Sequence, residues 1–358
     1  MRILHMIPDI GVANGVMSVI LNYAKAMPEN VVFDVLYFQE TDENRKADIE
    51  ALGGRVFKVD RPSPKDLLTK KYAPFFKNHK GEWQALHIHA PHFAVFIAPA
   101  AKKSGINKIC VHSHTTEYSL KSSSLRNKIL SYYAKFFIRD KFACSEESGK
   151  IWYGNKRYTV LKNAIDTKAY SFNPEKREEV RTSFNIGDSF VIGHIGRTDI
   201  PQKNHSFILE IFSEICKIHP DSRLVLIGAE NNGELTELAK RFKITERIIY
   251  LGFRSDVSRL LQMCDLFLFP SVREGLPVSV VEAQAAGLPV LLSDSVTDEV
   301  VVLDSTVFLS IESPAYEWAK KALEYLSFNR TDTYENMKES GWEILIQAEE
   351  LLNYYNGD

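Results

Sequence analysis

Residues Asp265–Leu292, DLFLFPSVREGLPVSVVEAQAAGLPVLL, contain two short apolar runs separated by a helical pattern. Leu266–Phe269 and Val290–Leu292 have the length of buried strands, and apolar residues between them recur at helical spacing. The stretch therefore predicts a βαβ unit of a parallel sheet. Pro277 falls at the expected first helical position, where its missing N–H costs nothing. The bare amides of 274–276 would then attract an anion to the positive end of the helix.

The same alternation of strands and helices extends over the rest of the chain. It predicts an α/β protein with doubly wound parallel sheets, the second of which is closed by 265–292. The pattern lapses in the polar segment Lys162–Asn173, where we place a linker. We expect Rossmann-like domains at 1–166 and 167–336, facing each other across a cleft that holds the site. The segment 337–358 is expected to form one helix over Met337–Tyr355, which could pack back on the first domain.

Composition excludes several classes of protein. The 358 residues include 44 Lys and Arg against 46 Asp and Glu, so no global field favours nucleic acid. The four cysteines have neither metal-ligand nor disulfide-like spacing, which indicates a reducing compartment. No stretch approaches the ~20 apolar residues of a membrane span, and Arg2–His5 resembles a first strand rather than a signal peptide. We therefore expect a soluble cytoplasmic protein.

A second motif, Gly193-His-Ile-Gly196-Arg197, directly follows a predicted strand, and Lys203 lies six residues beyond the arginine. Glycine lets a backbone approach a ligand, and Arg and Lys offer positive charge to phosphate oxygens. A tight turn with two solvated cations is the structural alternative. The spacing matches neither the GxGxxG motif of dehydrogenases nor a P-loop.

Glu274 and Glu282 lie eight residues apart on either side of the predicted helix start. Paired carboxylates are typical of glycosidases. The two groups would also suit separate hydroxyl partners on a ligand that carries phosphate, such as a nucleotide sugar. The structural alternative is a helix N-terminal charge at Glu274 and a solvent-facing or salt-bridged Glu282.

Together these residues resemble the retaining glycosyltransferases of family 4, which have the two-domain GT-B fold. The E-x7-E spacing of Glu274 and Glu282 is the centre of the resemblance, which covers nearly the whole chain. Similar segments in the second half are Gly196-Arg197, Lys203-Asn204, Gly252-Phe253-Arg254, Pro270-Ser271 and Ala286–Val290. In the first half, Asn14-Gly15, His112-Ser-His114 and Cys144–Gly154 resemble exopolysaccharide and capsule transferases in particular. The chain departs from the family at Asn14 and Ala164, where glycine is frequent.

The resemblance implies a role for each matching residue. A catalytic set would consist of Arg197 and Lys203 on the donor diphosphate, Glu274 on the transferred sugar and His114 near that sugar. The remaining donor contacts would come from Asn14, Gly15, Gly196, Phe253, Arg254, Gly275, Leu276 and Glu282, with Glu282 on the ribose and 253–254 at the base.

The implied activity is metal-independent transfer of a hexose or N-acetylhexosamine from a nucleotide sugar, UDP by family habit, without a further cofactor. The acceptor would be a growing surface, capsular or exopolysaccharide on a polyprenyl diphosphate. The absence of an Asp-x-Asp motif agrees with a metal-free mechanism. Two alternatives remain open: a UDP-N-acetylglucosamine 2-epimerase, and a non-catalytic partner subunit of a transferase.

The segment 121–141 carries six cations and four interleaved aromatic residues against one acid, Asp140. It either docks at the inner face of the cell membrane, where a lipid-linked acceptor lies, or is an ordinary helix whose aromatics enter the core. His87, His89 and His92 cluster in sequence without carboxylate or cysteine companions, so we expect structural or cleft-lining roles rather than zinc binding.

Overall fold

A computed structural model describes residues 1–12, 14–67, 70–116, 124–198, 200–231 and 233–357. The chain forms two compact units: unit 1 consists of Met1–Ile165 and Gly341–Asp358, and unit 2 of Asp166–Ser340. Each unit is built on a parallel sheet, which confirms the predicted α/β architecture.

Unit 1 contains a seven-stranded parallel sheet among the described residues, in the order β3-β2-β1-β4-β5-β6-β7. Its strands are β1 Arg2–Met6, β2 Val32–Tyr37, β3 Val56–Lys58, β4 Ala85–Ile88, β5 Lys108–Ser113, β6 Asp140–Ala143 and β7 Thr159–Val160. The register places His5 of β1 directly opposite His87 of β4. Apolar residues alternate toward two separate cores, one on each face of the sheet.

The helices of unit 1 cover these two faces. They are α1 Gly15–Ala26, α2 Lys46–Ala51, α3 Ala73–Asn78, α4 Ala94–Lys103, α5 Ser124–Phe137, α6 Glu146–Tyr153 and, from the end of the chain, α15 Ile344–Asn356. Helix α15 packs against α1 and buries Ile344, Ala348, Leu351 and Tyr355 in the core that also contains Ile20.

Unit 2 contains a six-stranded parallel sheet in the described residues, in the order β10-β9-β8-β11-β12-β13. Its strands are β8 Phe190–Ile195, β9 Ser222–Ile227, β10 Ile248–Tyr250, β11 Leu266–Phe269, β12 Val290–Ser293 and β13 Thr306–Leu309. The predicted βαβ unit is present as β11 and β12 with a helix between them. The expectation that it closes the sheet is wrong, because the half-exposed β13 pairs with β12 at the edge.

The helices of unit 2 are α7 Thr167–Tyr170, α8 Pro174–Ser183, α9 His205–Ile218, α10 Gly233–Arg241, α11 Val257–Leu260, α12 Val278–Ala285, α13 Ala315–Leu323 and α14 Tyr334–Glu339. The first of them lies inside the polar segment that was expected to be a linker. Helix α12 begins one residue later than predicted. Pro277 is its N-cap, with extended backbone (φ −72°, ψ 104°), rather than its first helical residue.

The single helix predicted over Met337–Tyr355 is wrong. Helix α14 ends at Glu339 in unit 2, and α15 begins at Ile344 in unit 1. Gly341 between them adopts φ +74°, a left-handed conformation that stops a helix and that glycine adopts without strain.

Among the described residues, no helix is both long enough and apolar enough to cross a membrane.

Candidate functional site

The loops that carry the predicted residues of unit 2 lie at the point where the strand order reverses. From β8 the chain moves outward through β9 and β10, then returns to β11 on the other side of β8. Ligands of open α/β sheets bind at the carboxyl ends of such strands. The loops after β8 and β11 are joined there, since Val272 N donates to Gln202 O (2.8 Å) and Asn204 Nδ2 to Pro270 O (3.1 Å).

This junction brings Lys203 and Glu274 together. The Lys203 Nζ lies 2.8 Å from Glu274 Oε1, and both side chains are mostly buried, at 15% and 17% exposure. The same ammonium lies 4.6 Å from the ring centroid of Phe269, at the end of β11. Lys203 is therefore not the solvated cation of the structural alternative, and a partly dehydrated charge pair is available to a polar ligand.

The two glycines of 193–197 serve packing within the loop. A Cβ on Gly196 would lie 2.6 Å from His194 Nε2 and 3.1 Å from Cγ and Cδ of Lys203. A Cβ on Gly193 would lie 2.7 Å from Cys264 Sγ. The sequence interpretation assigned glycine to close approach of a ligand, whereas the geometry shows that Gly196 makes room for the stem of Lys203. Arg197 follows directly and is partly buried.

Two buried histidines hold this loop in place through hydrogen bonds to backbone carbonyls. His194 Nδ1–H donates to Leu268 O (2.9 Å), and His205 Nε2–H donates to Gly196 O (3.3 Å). Burial lowers the pKa of His194 well below its ordinary value and that of His205 to about 4, with Lys203 adding to both shifts. The two imidazoles are therefore neutral, and the positive charge of the loop stays on Lys203 and Arg197. Sequence reasoning missed both.

Helix α12 begins at Val278, four residues beyond Glu274. Within the described part of the chain, no acceptor is bonded to the backbone amides of Gly275 and Leu276. The first turn of α12 contains no acidic residue, so no carboxylate in that turn repels an anion. Both amides precede the N-cap Pro277 and follow Glu274 directly in the chain, and their binding of an anion stays a prediction.

Glu282 lies one to two turns deeper and has a different partner. Its Oε1 accepts a hydrogen bond from the Tyr170 hydroxyl at 2.7 Å. Burial raises the pKa of Glu282, and the hydrogen bond from Tyr170 acts in the opposite direction. Glu274 and Glu282 thus occupy separate environments. Sequence reasoning did not identify Tyr170, because nothing in the spacing pointed to it.

The predicted base-contacting residues follow β10. Phe253 is 47% exposed, and Arg254 forms a bidentate pair with Asp256 at 2.8 Å for both bonds. Gly252 adopts φ +57° and accepts a hydrogen bond from Gly228 N (2.7 Å), which fixes the loops after β9 and β10 to each other. The exposed ring of Phe253 is available for stacking on a planar group.

In unit 1 the strand order reverses between β1 and β4, and the Asn14-Gly15 loop follows β1. Asn14 caps α1, with Oδ1 accepting from Val16 N (3.0 Å) and Met17 N (3.3 Å). Gly15 is exposed, and a Cβ built on it would meet nothing within 4 Å among the described residues. A side chain at Gly15 would therefore meet no described atom at its Cβ, and the role of Gly15 at a phosphate stays a prediction.

Five buried histidines cover one face of the sheet in unit 1: His5, His87, His89, His112 and His114, each at most 8% exposed. Three form a chain, from His5 Nδ1 to His89 Nε2 (2.9 Å) and from His89 Nδ1 to His114 Nε2 (2.8 Å). It ends where His114 Nδ1 meets Asn163 Oδ1 at 2.8 Å.

His114 therefore has both ring nitrogens bonded inside unit 1, and burial lowers its pKa to about 4. The other two histidines do not belong to this hydrogen-bonded series. His112 Nε2 bonds to Leu161 O (3.2 Å), and His87 Nδ1 bonds to the Tyr355 hydroxyl (2.6 Å).

Two triads of these histidines bring ring nitrogens within 4.8 Å of one another, namely His5, His87, His89 and His89, His112, His114. Both triads include His89, whose two nitrogens already bond to His5 and His114. Neither triad thus offers three uncommitted nitrogens to a metal ion. The sequence did not anticipate the contribution of His5 to this cluster.

The basic segment 121–141 is described from residue 124, and Lys121 lies outside the described residues. Helix α5 exposes an apolar face of Leu125, Ile129, Tyr132 and Phe136, at 70%, 60%, 50% and 53%. Phe137 is 75% exposed. The alternative in which the aromatic residues enter the core is wrong for three of the four, since only Tyr133 packs against it.

The family of glycosyl transferases group 1 matches residues 176–343. The putative glycosyltransferase EpsF of Bacillus subtilis (strain 168) is 28% identical, over 99% of this chain and 96% of that protein. An Escherichia coli UDP-Gal:alpha-D-GlcNAc-diphosphoundecaprenol alpha-1,3-galactosyltransferase is 27% identical, over 60% of this chain and 59% of its own.

Among solved structures, HepE of Anabaena in complex with UDP superposes with a TM-score of 0.73 at 20% identity, covering 99% of this chain and 95% of that one. Its complex with UDP-glucose gives a TM-score of 0.71 at 20% identity, covering 98% and 95%. At this level of identity the similarity establishes the fold, which is GT-B.

Proposed function

We propose that this chain is a group 1 glycosyltransferase that moves a hexose or N-acetylhexosamine from a UDP-sugar to a polyprenyl-diphosphate-linked saccharide, with retention of configuration. The family match over 176–343 and the similarity to EpsF support this activity. The product would be a surface, capsular or exopolysaccharide. EpsF, similar over nearly its whole length, supports the glycosyltransferase activity. The Escherichia coli galactosyltransferase supports a lipid-linked acceptor, and the HepE complexes support UDP and a UDP-sugar.

The observation that carries this proposal is the mostly buried Lys203–Glu274 pair. In the chain it is followed directly by the amides of Gly275 and Leu276, to which no acceptor is bonded among the described residues. Loss of the nucleoside diphosphate develops negative charge on phosphate oxygen, and preorganised cations and amides stabilise that charge. We assign Lys203 and Arg197 to the diphosphate, and Glu274 with the amides of Gly275 and Leu276 to the sugar and adjoining phosphate.

The proposed reaction needs no metal ion and no further cofactor. The bond from the anomeric carbon to the phosphate oxygen breaks, and the acceptor oxygen bonds to that carbon on the same face. The acceptor proton passes to the leaving phosphate. In this scheme the cations replace the charge that a metal ion would otherwise supply.

The rest of the donor is proposed to bind along unit 2. Glu282 accepts hydrogen bonds from the ribose hydroxyls, and Phe253 with the backbone of Arg254 meets the base. The exposure of Phe253 supports its part in this assignment.

In unit 1 we propose that Asn14 and Gly15 admit the diphosphate at the start of α1, and that His114 contacts the transferred sugar. The open space above Gly15 supports the first assignment. For His114, a hydroxyl must displace His89 or Asn163 from a ring nitrogen, or meet the carbon edge of the ring. Unit 1 would bind the acceptor, the role expected of the domain at 1–166, and unit 2 would bind the donor, the role expected of the domain at 167–336.

The lipid-linked acceptor and the exposed face of α5 together support peripheral attachment to the inner face of the cell membrane. The apolar face spaces its residues at four, three and four positions, which places them on one side of a helix. Arg126, Lys128, Lys135 and Arg139 flank it, as in helices that lie in the interface of an anionic bilayer.

The test is incubation of the chain with a series of UDP-sugars, with and without polyprenyl-diphosphate saccharides, in the presence of EDTA. We expect UDP release with one sugar and a glycoside when the acceptor is added. Lys203→Ala should lower kcat/KM by roughly a hundredfold, as loss of a charged donor at the leaving group does. Lys240→Ala, an exposed lysine of the same unit, is the matched control.

An epimerised UDP-sugar without any glycoside or UDP release would instead assign the chain to the epimerases. Equal activity of wild type and Lys203→Ala would remove the assigned role of the charge pair. If no UDP-sugar is consumed with any acceptor, a non-catalytic subunit becomes the better assignment.

A further inference from the structure

Glu282 has a fixed protein partner on one oxygen only. The Tyr170 hydroxyl donates to Oε1 at 2.7 Å, whereas Oε2 has no protein donor among the described residues. The carboxylate is therefore held in one orientation from one side, and its second oxygen remains available. A carboxylate that binds a ligand needs this arrangement, with one oxygen anchored by the protein and the other facing the ligand.

Tyr170 is itself rigidly held. It is the last residue of α7, a single turn whose N-cap Asp166 accepts from Ala169 N at 2.9 Å. The buried Gln262 donates from Nε2 to Tyr170 O at 3.0 Å and accepts from Asn173 N at 3.0 Å. Both ends of the segment 166–173 are thus fixed, and α7 packs directly against α12.

A second anchor lies beyond Tyr170. The Arg330 guanidinium stacks on Phe172 at 4.2 Å and donates from Nε to Ala286 O, at the C-terminal end of α12, at 3.1 Å. The segment that carries Tyr170 and the helix that carries Glu282 are therefore locked together at two places. A hydroxyl in such a frame determines where the carboxylate points.

The chemistry of the contact also has a direction. Burial raises the pKa of Tyr170 as it does that of Glu282, so the phenol keeps its proton and acts as the donor. Donation to a carboxylate favours its ionised form. Without the hydroxyl, a buried Glu282 would bind a proton more readily and accept fewer hydrogen bonds.

We propose that Tyr170 is a positioning residue for the sugar-nucleotide donor: it anchors Oε1 of Glu282 and thereby presents Oε2 to the ribose hydroxyls. The inference rests on the proposed function, since it assumes that Glu282 binds ribose.

The test compares wild type, Tyr170→Phe, Glu282→Gln and the double variant. Phenylalanine keeps the ring and its packing, so the first variant removes only the hydroxyl. We expect the Kd for UDP and the KM for the donor to rise roughly tenfold, the effect of one hydrogen bond to a charged group, with kcat nearly unchanged. The acid limb of kcat/KM should move to higher pH in Tyr170→Phe. Glu282→Gln has no carboxylate to titrate at this position, so adding Tyr170→Phe to it should leave its pH profile unchanged.

A change of ligand separates this role from a purely structural one. Binding of 2′,3′-dideoxy-UDP, which lacks both ribose hydroxyls, should be equally weak in wild type and Tyr170→Phe. A distorted site would instead bind both nucleotides more weakly in the variant, and that result would overturn the inference. Tyr316→Phe, whose side chain is exposed on α13, is the matched control and should bind UDP like wild type.

The outcomes also separate this inference from the proposed function. Weak UDP binding by Glu282→Gln together with normal binding by Tyr170→Phe would overturn the role of Tyr170 alone. Normal binding by Glu282→Gln would remove ribose binding by Glu282 and the inference with it. Failure of wild type to bind UDP would overturn the assigned donor instead.

Discussion

The buried histidines of unit 1 are uncharged in the folded chain. Burial lowers the pKa of His5 to about 3 and of His114 to about 4, and it lowers those of His87, His89 and His112 well below 6.5. Neighbouring imidazoles add to the shift of His89, because a proton on one ring disfavours a proton on the next. The cluster is therefore a set of neutral donors and acceptors that acid can charge only by disrupting it.

This predicts an acid-sensitive fold. Because the folded pKa values lie below the unfolded value of about 6.5, the contribution to stability is complete above that pH and is lost as the pH falls toward 4. Each such histidine lowers the free energy of unfolding by about 1.4 kcal/mol per pH unit in this window. Urea unfolding between pH 7.5 and 4.5 should show this steep decline.

His87→Gln, which keeps a hydrogen-bonding group for Tyr355, should reduce the slope by about one proton. His219→Gln, at a partly exposed position of unit 2, should leave the slope as it is. An unchanged slope in His87→Gln would attribute the proton uptake to other groups.

At the same scale, the sequence identified Lys203, Glu274 and Glu282 but not their partners. Spacing along the chain located the residues, and the resemblance implied their ligands. It did not reveal that Lys203 pairs with Glu274 or that Tyr170 holds Glu282, since these contacts join segments 71 and 112 residues apart that only the folded sheet brings together. Whether these residues bind a donor stays a prediction.

Among the elements, those with strong apolar periodicity were predictable and those held by polar contacts were not. The strands β1 and β11 lie where the pattern indicated. Helix α8 was missed because it is polar almost throughout. It is fixed by Arg177 and Arg181, which bond to Asp265 and to carbonyls of 262–264.

Helix α5 is expected to bind anionic membranes through the cations that flank its apolar face. Reversing two of its charges, in Lys128→Glu with Lys135→Glu, should weaken binding to vesicles containing anionic phospholipid by at least about tenfold, since each nearby cation contributes about 1 kcal/mol. Vesicle co-sedimentation at ~0.1 M salt measures the effect. The donor KM in solution should not change.

The matched control for α5 is Lys217→Glu with Lys240→Glu, which makes the same charge change on exposed positions of unit 2. Similar losses in both double variants would indicate an effect of net charge alone. No loss in either would leave α5 as a solvated helix.

For the whole molecule, the α/β class followed from alternation, and the GT-B fold followed from the resemblance. The path of the chain did not. Unit 1 is interrupted by unit 2 and completed by residues 341–358, where Ile344 N bonds to Ile165 O (3.0 Å) beside the point at which the chain leaves. Helices α14 and α15 are separated by Gly341 in a left-handed conformation and by Glu343, the extended N-cap of α15, which bridges to Ile165.

Removal of residues 341–358 should destabilise unit 1 selectively. It exposes a core face and leaves His87 without Tyr355, at about 1.5–3 kcal/mol for each large apolar side chain lost. Hydrogen exchange measured by peptide should show loss of protection in β1, β4 and α1, with β8, β9 and β11 still protected. Removal of 357–358 alone is the control, and unchanged protection of β1 in the longer deletion would contradict the expectation.

The return of α15 to unit 1 has a consequence for biosynthesis. During translation unit 2 is complete once residue 340 has left the ribosome, whereas unit 1, although it emerges first, still lacks part of its core. Translation proceeds at about 5–20 residues per second. The uncovered face of α1 and the cluster of five histidines therefore stay open to chaperones for on the order of ten seconds or longer. The half of the molecule that is made first is therefore the half that finishes folding last.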